Sequence, residues 1–137
     1  VLLGMKKRGF GVGKWNGFGG KVEEGETIQD AAKRETLEEA GIIVRDIEEL
    51  GVNIFTFKHT GEVHEVHVFK AIDFEGTPRE GEEMRPQWFS VDKIPYTEMW
   101  PDDVYWLPLF LAGKKFKGTY LFGEGDTLLS FDLREVE

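Results

Sequence analysis

"GKVEEGETIQDAAKRETLEEAGI", residues 20–42, decides how this chain is read. Thr27 followed three residues later by Asp30 is a capping-box pattern, and Gly41 before apolar Ile42 is a glycine stop, so a helix is expected from Thr27 to Ala40. At about 100° per residue, Ile28, Ala31, Glu35, Glu38, Glu39 and Ile42 share one stripe of that helix. The stripe begins apolar and ends acidic. Most Glu-rich helix ends are solvated faces and nothing more. Here the acids gather at the C-terminal end, where each opposes the helix dipole at roughly 0.3 to 1 kcal/mol and Glu35 repels Glu39 one turn on. A cation is the expected compensation. Clustered hard oxygen donors suit Mg²⁺, with Mn²⁺ as a substitute, held together with water and phosphate oxygens.

On the N-terminal side, Gly9 to Gly20 is glycine-rich, as expected of loops that bring backbone close to a ligand. Lys6, Lys7, Arg8, Lys14, Lys21, Lys33 and Arg34 make this part locally basic, which leaves room for a small phosphate ligand. Lys6 and Lys21 are candidates for sugar or phosphate contact, although most surface lysines make none. On the C-terminal side, strands are expected at 47–58, 63–73 and 84–90. "WPDDVYWLPLFLAG" reads as a second helix with Pro101 in its first turn, and Pro108 interrupts its pattern. "GTYLF" and "DTLLSFDLREV" read as closing strands. This order of elements predicts a mixed sheet with helices on its faces.

The bulk properties narrow the function classes. A chain of 137 residues is one domain of ordinary size, and 40% hydrophobic content with 11 Phe and 4 Trp excludes disorder. With no Cys there is neither a disulfide framework nor a thiolate metal site. A net charge of −9 argues against a nucleic-acid polymer as partner, since such binding rests on many contacts from Lys and Arg to phosphates. No apolar run approaches the roughly 18 to 20 residues of a membrane span, and no secretory leader is expected. The chain is expected to be soluble and intracellular, with no membrane partner. His64 and His67, an odd number of residues apart on one strand, point to opposite faces and do not suggest a shared metal, and His59 is read as an ordinary loop residue.

Residues 20–42 resemble the Nudix box, with Gly20, Glu26, Arg34, Glu35, Glu38, Glu39, Gly41 and Ile42 at its required positions. Thr36 departs from it, standing where that family prefers a bulky aliphatic. The resemblance implies a single Nudix domain over residues 1–137, built as an α/β/α sandwich with a loop-helix-loop catalytic motif, and a first strand missing before Val1. It also implies that Glu35, Glu38 and Glu39 ligate metal beside a backbone carbonyl at Gly19 or Gly20, while Arg34 holds carboxylates in place, Glu26 and its neighbours. Glu83 in "GEEMRPQWF" is a further candidate ligand or base, and spacing does not separate it from Glu80 and Glu82. The segments "KKRGFGVGKWNGFGGKV", "EEMRPQWF", "MWPDDVYW", "VHVFKA" and "EGTP" resemble the branch of the family that hydrolyses oxidised purine nucleoside triphosphates to monophosphate and pyrophosphate. That branch cleans the nucleotide pool as a monomer, in the cytoplasm with nuclear or mitochondrial fractions.

The residues can also be read directly for base recognition. Phe10 and Trp100 offer flat surfaces on which a purine could stack, and Pro101 fixes the turn beside Trp100. Core packing is the commoner fate of an aromatic residue, and for Phe55, Phe57, Met84 and Trp106 the two readings weigh equally. Phe18, Gly19 and Gly20 complete the expected substrate contacts. Asp102 and Asp103 fit the first turn of a helix by its dipole alone. In an apolar aromatic pocket the same pair would hold one proton, because desolvation and mutual repulsion oppose double ionisation. Asn16, whose amide both donates and accepts, would complete the reading of the base edge. The rival enzyme reading is another Nudix substrate, such as a dinucleoside polyphosphate or a nucleoside diphosphate sugar. From other classes, the rivals are a non-catalytic nucleotide sensor and a purely structural module, which gives no reason for the acidic stripe.

Overall fold

The computed structural model describes residues 1–137. Its elements are β1 (Leu2–Lys6), β2 (Trp15–Asn16), α1 (Ile28–Ala40), β3 (Ile43–Arg45), β4 (Glu48–Phe57), β5 (Glu62–Lys70), β6 (Asp73–Glu75), β7 (Met84–Trp88), α2 (Asp103–Leu111), β8 (Lys115–Phe122) and β9 (Leu128–Val136). Single 3-10 turns stand at Tyr96–Glu98 and Glu124–Asp126. The class is mixed α/β with two helices, as expected. The chain divides into two compact units, one of Val1–Ile47 with Ala71–Trp100 and one of Glu48–Lys70 with Pro101–Glu137.

In the first unit, α1 starts where the expected cap forms, the Asp30 N–H donating to Thr27 Oγ1 at 3.1 Å. It stops at Gly41, whose φ of 74° is left-handed and whose N–H donates to the Leu37 carbonyl. A side chain at Gly41 would also lie 2.7 Å from Arg79 Cγ. Ala31, Ala40 and Ile42 are buried, whereas Ile28 is exposed despite sharing their stripe, because it stands at the first helical position while the buried line runs through the alanines. Two antiparallel sheets complete this unit. One has the order β2-β1-β7, with Met5 opposite both Trp15 and Arg85, and the other pairs β3 with β6. Leu3, Trp15, Met84 and Met99 are buried here.

The second unit is a four-stranded sheet in the order β5-β4-β8-β9, in which β4 and β8 run parallel and the other pairs antiparallel. In β8, Phe116, Gly118, Tyr120 and Phe122 are buried while Lys115, Lys117 and Thr119 face out, the period-2 alternation of a half-buried strand. A fully buried Phe contributes roughly 1.5 to 3 kcal/mol, and Phe116 and Phe122 are each 1% exposed. Gly51 of β4 is required by this packing, since a Cβ there would lie 2.2 Å from the Phe116 ring.

Two expectations are corrected. Three sheets stand where one mixed sheet was expected, because β2, β3 and β6 hold only two or three residues each, too few to show alternation. Pro101 lies before α2 rather than in its first turn, since Asp102 takes the cap position. Pro108 stands inside α2, where it has no N–H to return to Val104. The helix resumes with the Ala112 N–H donating to the Pro108 carbonyl at 3.1 Å. No helix is long and apolar enough to cross a membrane.

Candidate active site

The first unit carries the acidic stripe. Arg34 organises it, donating from Nε to Glu26 Oε2 at 2.6 Å, from Nη1 to Glu35 Oε1 at 2.7 Å, and more weakly to both Glu38 oxygens at 3.3 and 3.4 Å. Its Nη2 donates to Glu26 Oε1 at 3.0 Å and to the Lys21 carbonyl at 3.1 Å. These bonds, Glu26 first and Glu35 next, raise the guanidinium's proton affinity. Arg34 was expected to hold carboxylates, Glu26 and its neighbours, and the structure shows it holding Glu26, Glu35 and Glu38. Glu35 also fills the space above Gly20, where a Cβ would lie 2.5 Å from its carboxyl carbon.

Glu39 is handled differently. Its Oε1 accepts from the Gly19 N–H at 2.8 Å, so the structure brings Gly19 to this carboxylate through its amide. Burial, reinforced by the charges of Glu35 and Glu83, nevertheless pushes Glu39 up to about 7, against the pull of the Gly19 N–H and of Lys6. Glu83 accepts from Lys6 Nζ at 3.2 Å and from Arg8 Nε at 2.9 Å, and Arg8 first, then Lys6, hold it below the usual carboxylate range. Glu80 pairs with Lys7 and Glu82 with Arg8. Of the three acids that spacing left open, Glu83 is the one whose charge reaches Glu39.

This donor set fits a divalent cation. The charges of Glu35 and Glu83 both reach Glu39 and disfavour its ionisation, and Gly20 leaves open the room that Glu35 occupies. All are hard oxygen donors. No three acidic or histidine side chains stand already converged as an ion site, because Arg34, Gly19 and the basic residues of the N-terminal loop hold them apart in pairs.

Further along the same unit, Phe10 stacks on Trp100 with ring centroids 5.2 Å apart, and Lys14 Nζ lies 4.8 Å from the Trp100 ring. Gly11, at φ 80°, brings backbone under the indole, where a Cβ would be 3.3 Å from Nε1. Asn16 is half-buried on β2, its amide donating to the Lys14 carbonyl at 3.3 Å. Phe18 and Met84 close over Gly4, and Met84, weighed equally as wall and core, is 2% exposed. Lys21 is exposed.

The second unit carries the acid pair. Asp102 and Asp103, at the start of α2, are 2% and 6% exposed. Trp106 Nε1 donates to Asp102 Oδ2 at 2.7 Å, which orients the carboxyl, and the indole stacks on Phe116 at 5.6 Å. Burial raises the proton affinity of both acids. With the charge of Asp102 added, Asp103 is pushed up to about 9, the direction in which desolvation and mutual repulsion drive such a pair. Phe55 stacks on Tyr120 at 5.0 Å, and Phe57 is buried against Phe122 and His64. His64 and His67 pair with neighbouring glutamates.

Sequence reasoning missed Asn53 and Tyr120. Tyr120 donates to Asn53 Oδ1 at 2.9 Å, both are buried, and the charges of Asp102 and Asp103 add to burial in raising the phenol's proton affinity. The available signal was an amide in the apolar alternation of "VNIFTF".

The NUDIX domain signature matches residues 1–110. The oxidized purine nucleoside triphosphate hydrolases of Mus musculus and Danio rerio are 58% and 54% identical to this chain over 137 residues, covering 100% of it and 88% of each relative. A mutator MutT protein of Bacillus halodurans shares the fold at a TM-score of 0.86 and 30% identity, over 97% of this chain and 88% of that one. The box residues on α1, the signature around them and full-length relatives above half identity lead to one statement: this chain belongs to the Nudix family.

Proposed function

We propose that this protein hydrolyses oxidised purine nucleoside triphosphates to the monophosphate and pyrophosphate, removing damaged precursors from the nucleotide pool. The observation that carries the reading is the carboxylate group on the last turns of α1, in a chain 58% identical over its whole length to a hydrolase of oxidized purine nucleoside triphosphates. Nudix hydrolases work with a divalent metal. In this protein we take it to be Mg²⁺, with Mn²⁺ as a substitute, held by Glu35, Glu38, Glu39 and Glu83 with the Gly19 carbonyl. When bound, it would neutralise phosphate charge and lower the pKa of water.

The chain's own residues do the rest. Arg34 fixes Glu35 and Glu38 while Glu26 fixes Arg34. Lys6 and Lys21 steer the polyphosphate. Trp100 stacks the base, the Asp102–Asp103 pair offers one donor beside acceptors to its edge, and Asn16 adds an amide. Purines oxidised at C8 or C2 rearrange their donors and acceptors, and a pair able to redistribute its proton reads more than one such edge. A single domain acting as a cytoplasmic monomer, with nuclear and mitochondrial pools, completes the proposal.

The test is a panel of normal and oxidised purine triphosphates assayed for pyrophosphate release at matched Mg²⁺. Oxidised purines should be preferred by at least about tenfold, ~1.4 kcal/mol of discrimination. In ¹⁸O-water the label should enter pyrophosphate, as expected for water attack at the β-phosphorus. Release of labelled orthophosphate, or no preference for oxidised bases, would overturn the reading.

A further inference from the structure

α1 ends in a carbonyl that water does not reach. Ala40 is 0% exposed, and a helix leaves its last carbonyls without intrahelical partners, so the Ala40 oxygen needs a donor from elsewhere. It accepts from the Arg79 N–H at 2.9 Å. The sequence selects that amide, because Pro78 before it has none to offer. Around this bond the segment from Gly76 to Arg79 runs back along the exit of the helix. β6 delivers it there by pairing Glu75 with Ile43, and Gly76, at φ 97°, comes so close that a Cβ would lie 3.2 Å from the Gly41 carbonyl. Arg79 then lays its stem across Gly41, where a Cβ would be 2.7 Å from Cγ, 3.1 Å from Cδ and 2.9 Å from Nε. A short way on, the same segment reaches Glu83, whose carbonyl accepts from the Lys7 N–H at 2.8 Å and whose neighbour Met84 opens β7. One end of this strap is fixed to the helix turn that carries Glu38 and Glu39, and the other to the sheet edge that carries Glu83.

We propose that Arg79 is a positioning residue that clasps the last turn of α1 and so holds Glu39 at its working distance from Glu83, two of the acids assigned above to the metal. The clasp deepens that assignment and rests on it. α1 packs against β7, yet Glu38 and Glu39 stand in a last turn that has no basic residue of its own and whose dipole they oppose. A helix end in that condition is the part that frays first. Arg79 closes it from outside the helix: its N–H holds the final carbonyl, and its stem covers the glycine at which the chain turns away. The charge of the same side chain acts in the opposite sense, because a guanidinium beside a cation site repels the cation. Clasp and charge therefore predict opposite effects on metal affinity.

The test is calorimetric titration of the full chain with Mg²⁺, without nucleotide, beside amide hydrogen exchange. Arg79→Ala removes the stem and should weaken Mg²⁺ binding about tenfold, the lower end of what disturbing the support of a metal site costs. Arg79→Met keeps the stem without the charge and should bind at least as tightly as the parent. A merely structural role would lower the Tm of Arg79→Ala and leave its Mg²⁺ affinity at the parental value, which would overturn the clasp. So would tighter binding in Arg79→Ala, the mark of charge acting alone, or an equal loss in both variants. In the parent protein, the amides of Arg79 and Gly41 should show the same protection, because one opening of the helix end exposes both. This measurement needs no variant and serves if Arg79→Ala does not fold; an Arg79 amide that exchanges like an open loop beside a protected Gly41 would overturn the clasp. A parent protein that takes up no Mg²⁺ would refute the metal assignment itself, whereas one whose affinity is indifferent to Arg79 would refute the clasp alone.

Discussion

Gly20 and Glu35 share one small volume: a Cβ on the glycine would lie 2.5 Å from the carboxyl carbon and 2.7 Å from Oε2. The obstructed group is the tip of a flexible side chain, so Gly20→Ala should fold with stability within about 0.5 kcal/mol of the parent, as for a surface substitution. The displaced carboxylate would lose its place in the metal-binding group. Activity should fall about 10- to 100-fold, the usual cost of disturbing the support of a metal site. Thermal unfolding beside pyrophosphate release separates the two effects, and unchanged activity would remove Glu35 from the site.

Arg34 donates hydrogen bonds to three glutamates and one carbonyl, with Glu26 held by two nitrogens. Arg34→Lys cannot reproduce that fork, so it should behave much like Arg34→Ala. Both should weaken Mg²⁺ binding about 10- to 100-fold by calorimetry. Full retention of affinity in the lysine variant would show that charge alone suffices.

Asp103 sets a pH dependence whose sign can be worked out. Its folded value is raised from 3.8 to about 9, so between those limits the folded protein keeps a proton that the unfolded chain has released. Stability from this group therefore falls as pH rises through that window and levels off above it. Asp103→Asn should gain on the parent in Tm from pH 5 to pH 9, at roughly 4 °C for each ~1 kcal/mol relieved. The same variant, like Asp102→Asn, should lose discrimination between oxidised and normal purines while binding Mg²⁺ as before. A Tm difference independent of pH would show that the carboxyl is ionised throughout.

Trp100 is covered on one side by Phe10, which is itself 60% exposed. Base stacking is worth roughly 1 to 3 kcal/mol, so Trp100→Ala should raise KM about 5- to 150-fold with kcat little changed. Steady-state kinetics with an oxidised purine triphosphate check this, and a loss confined to kcat would assign the indole another role.

How much of this was legible in the sequence depended on range. The limits of α1 were readable because Thr27, Asp30 and Gly41 act within a few residues of one another, and their bonds form as expected. Arg34 with Glu26 was readable from the box, whereas its hold on Glu35 and Glu38 depends on rotamers that spacing does not fix. The long strands β4, β5, β8 and β9 carry enough alternation to be found, but β2, β3 and β6 do not. Spacing could not separate Glu83 from Glu80 and Glu82, because what distinguishes it is the double pairing with Lys6 and Arg8, residues more than 70 positions away. Asn53 with Tyr120 lay beyond reading altogether, because nothing local in either segment names the other.

That last bond spans 67 positions of sequence. A ribosome adding about 5 to 20 residues per second needs several seconds to travel from one end of it to the other. Throughout that interval the nascent β4 carries an amide amid phenylalanines with no neighbour on its parallel side, and loop closure over such a distance is slow even afterwards. The bond between Asn53 and Tyr120 is therefore among the later contacts to form during synthesis, and a chain released before Tyr120 is made has α1 complete but the Asn53 amide without its phenol.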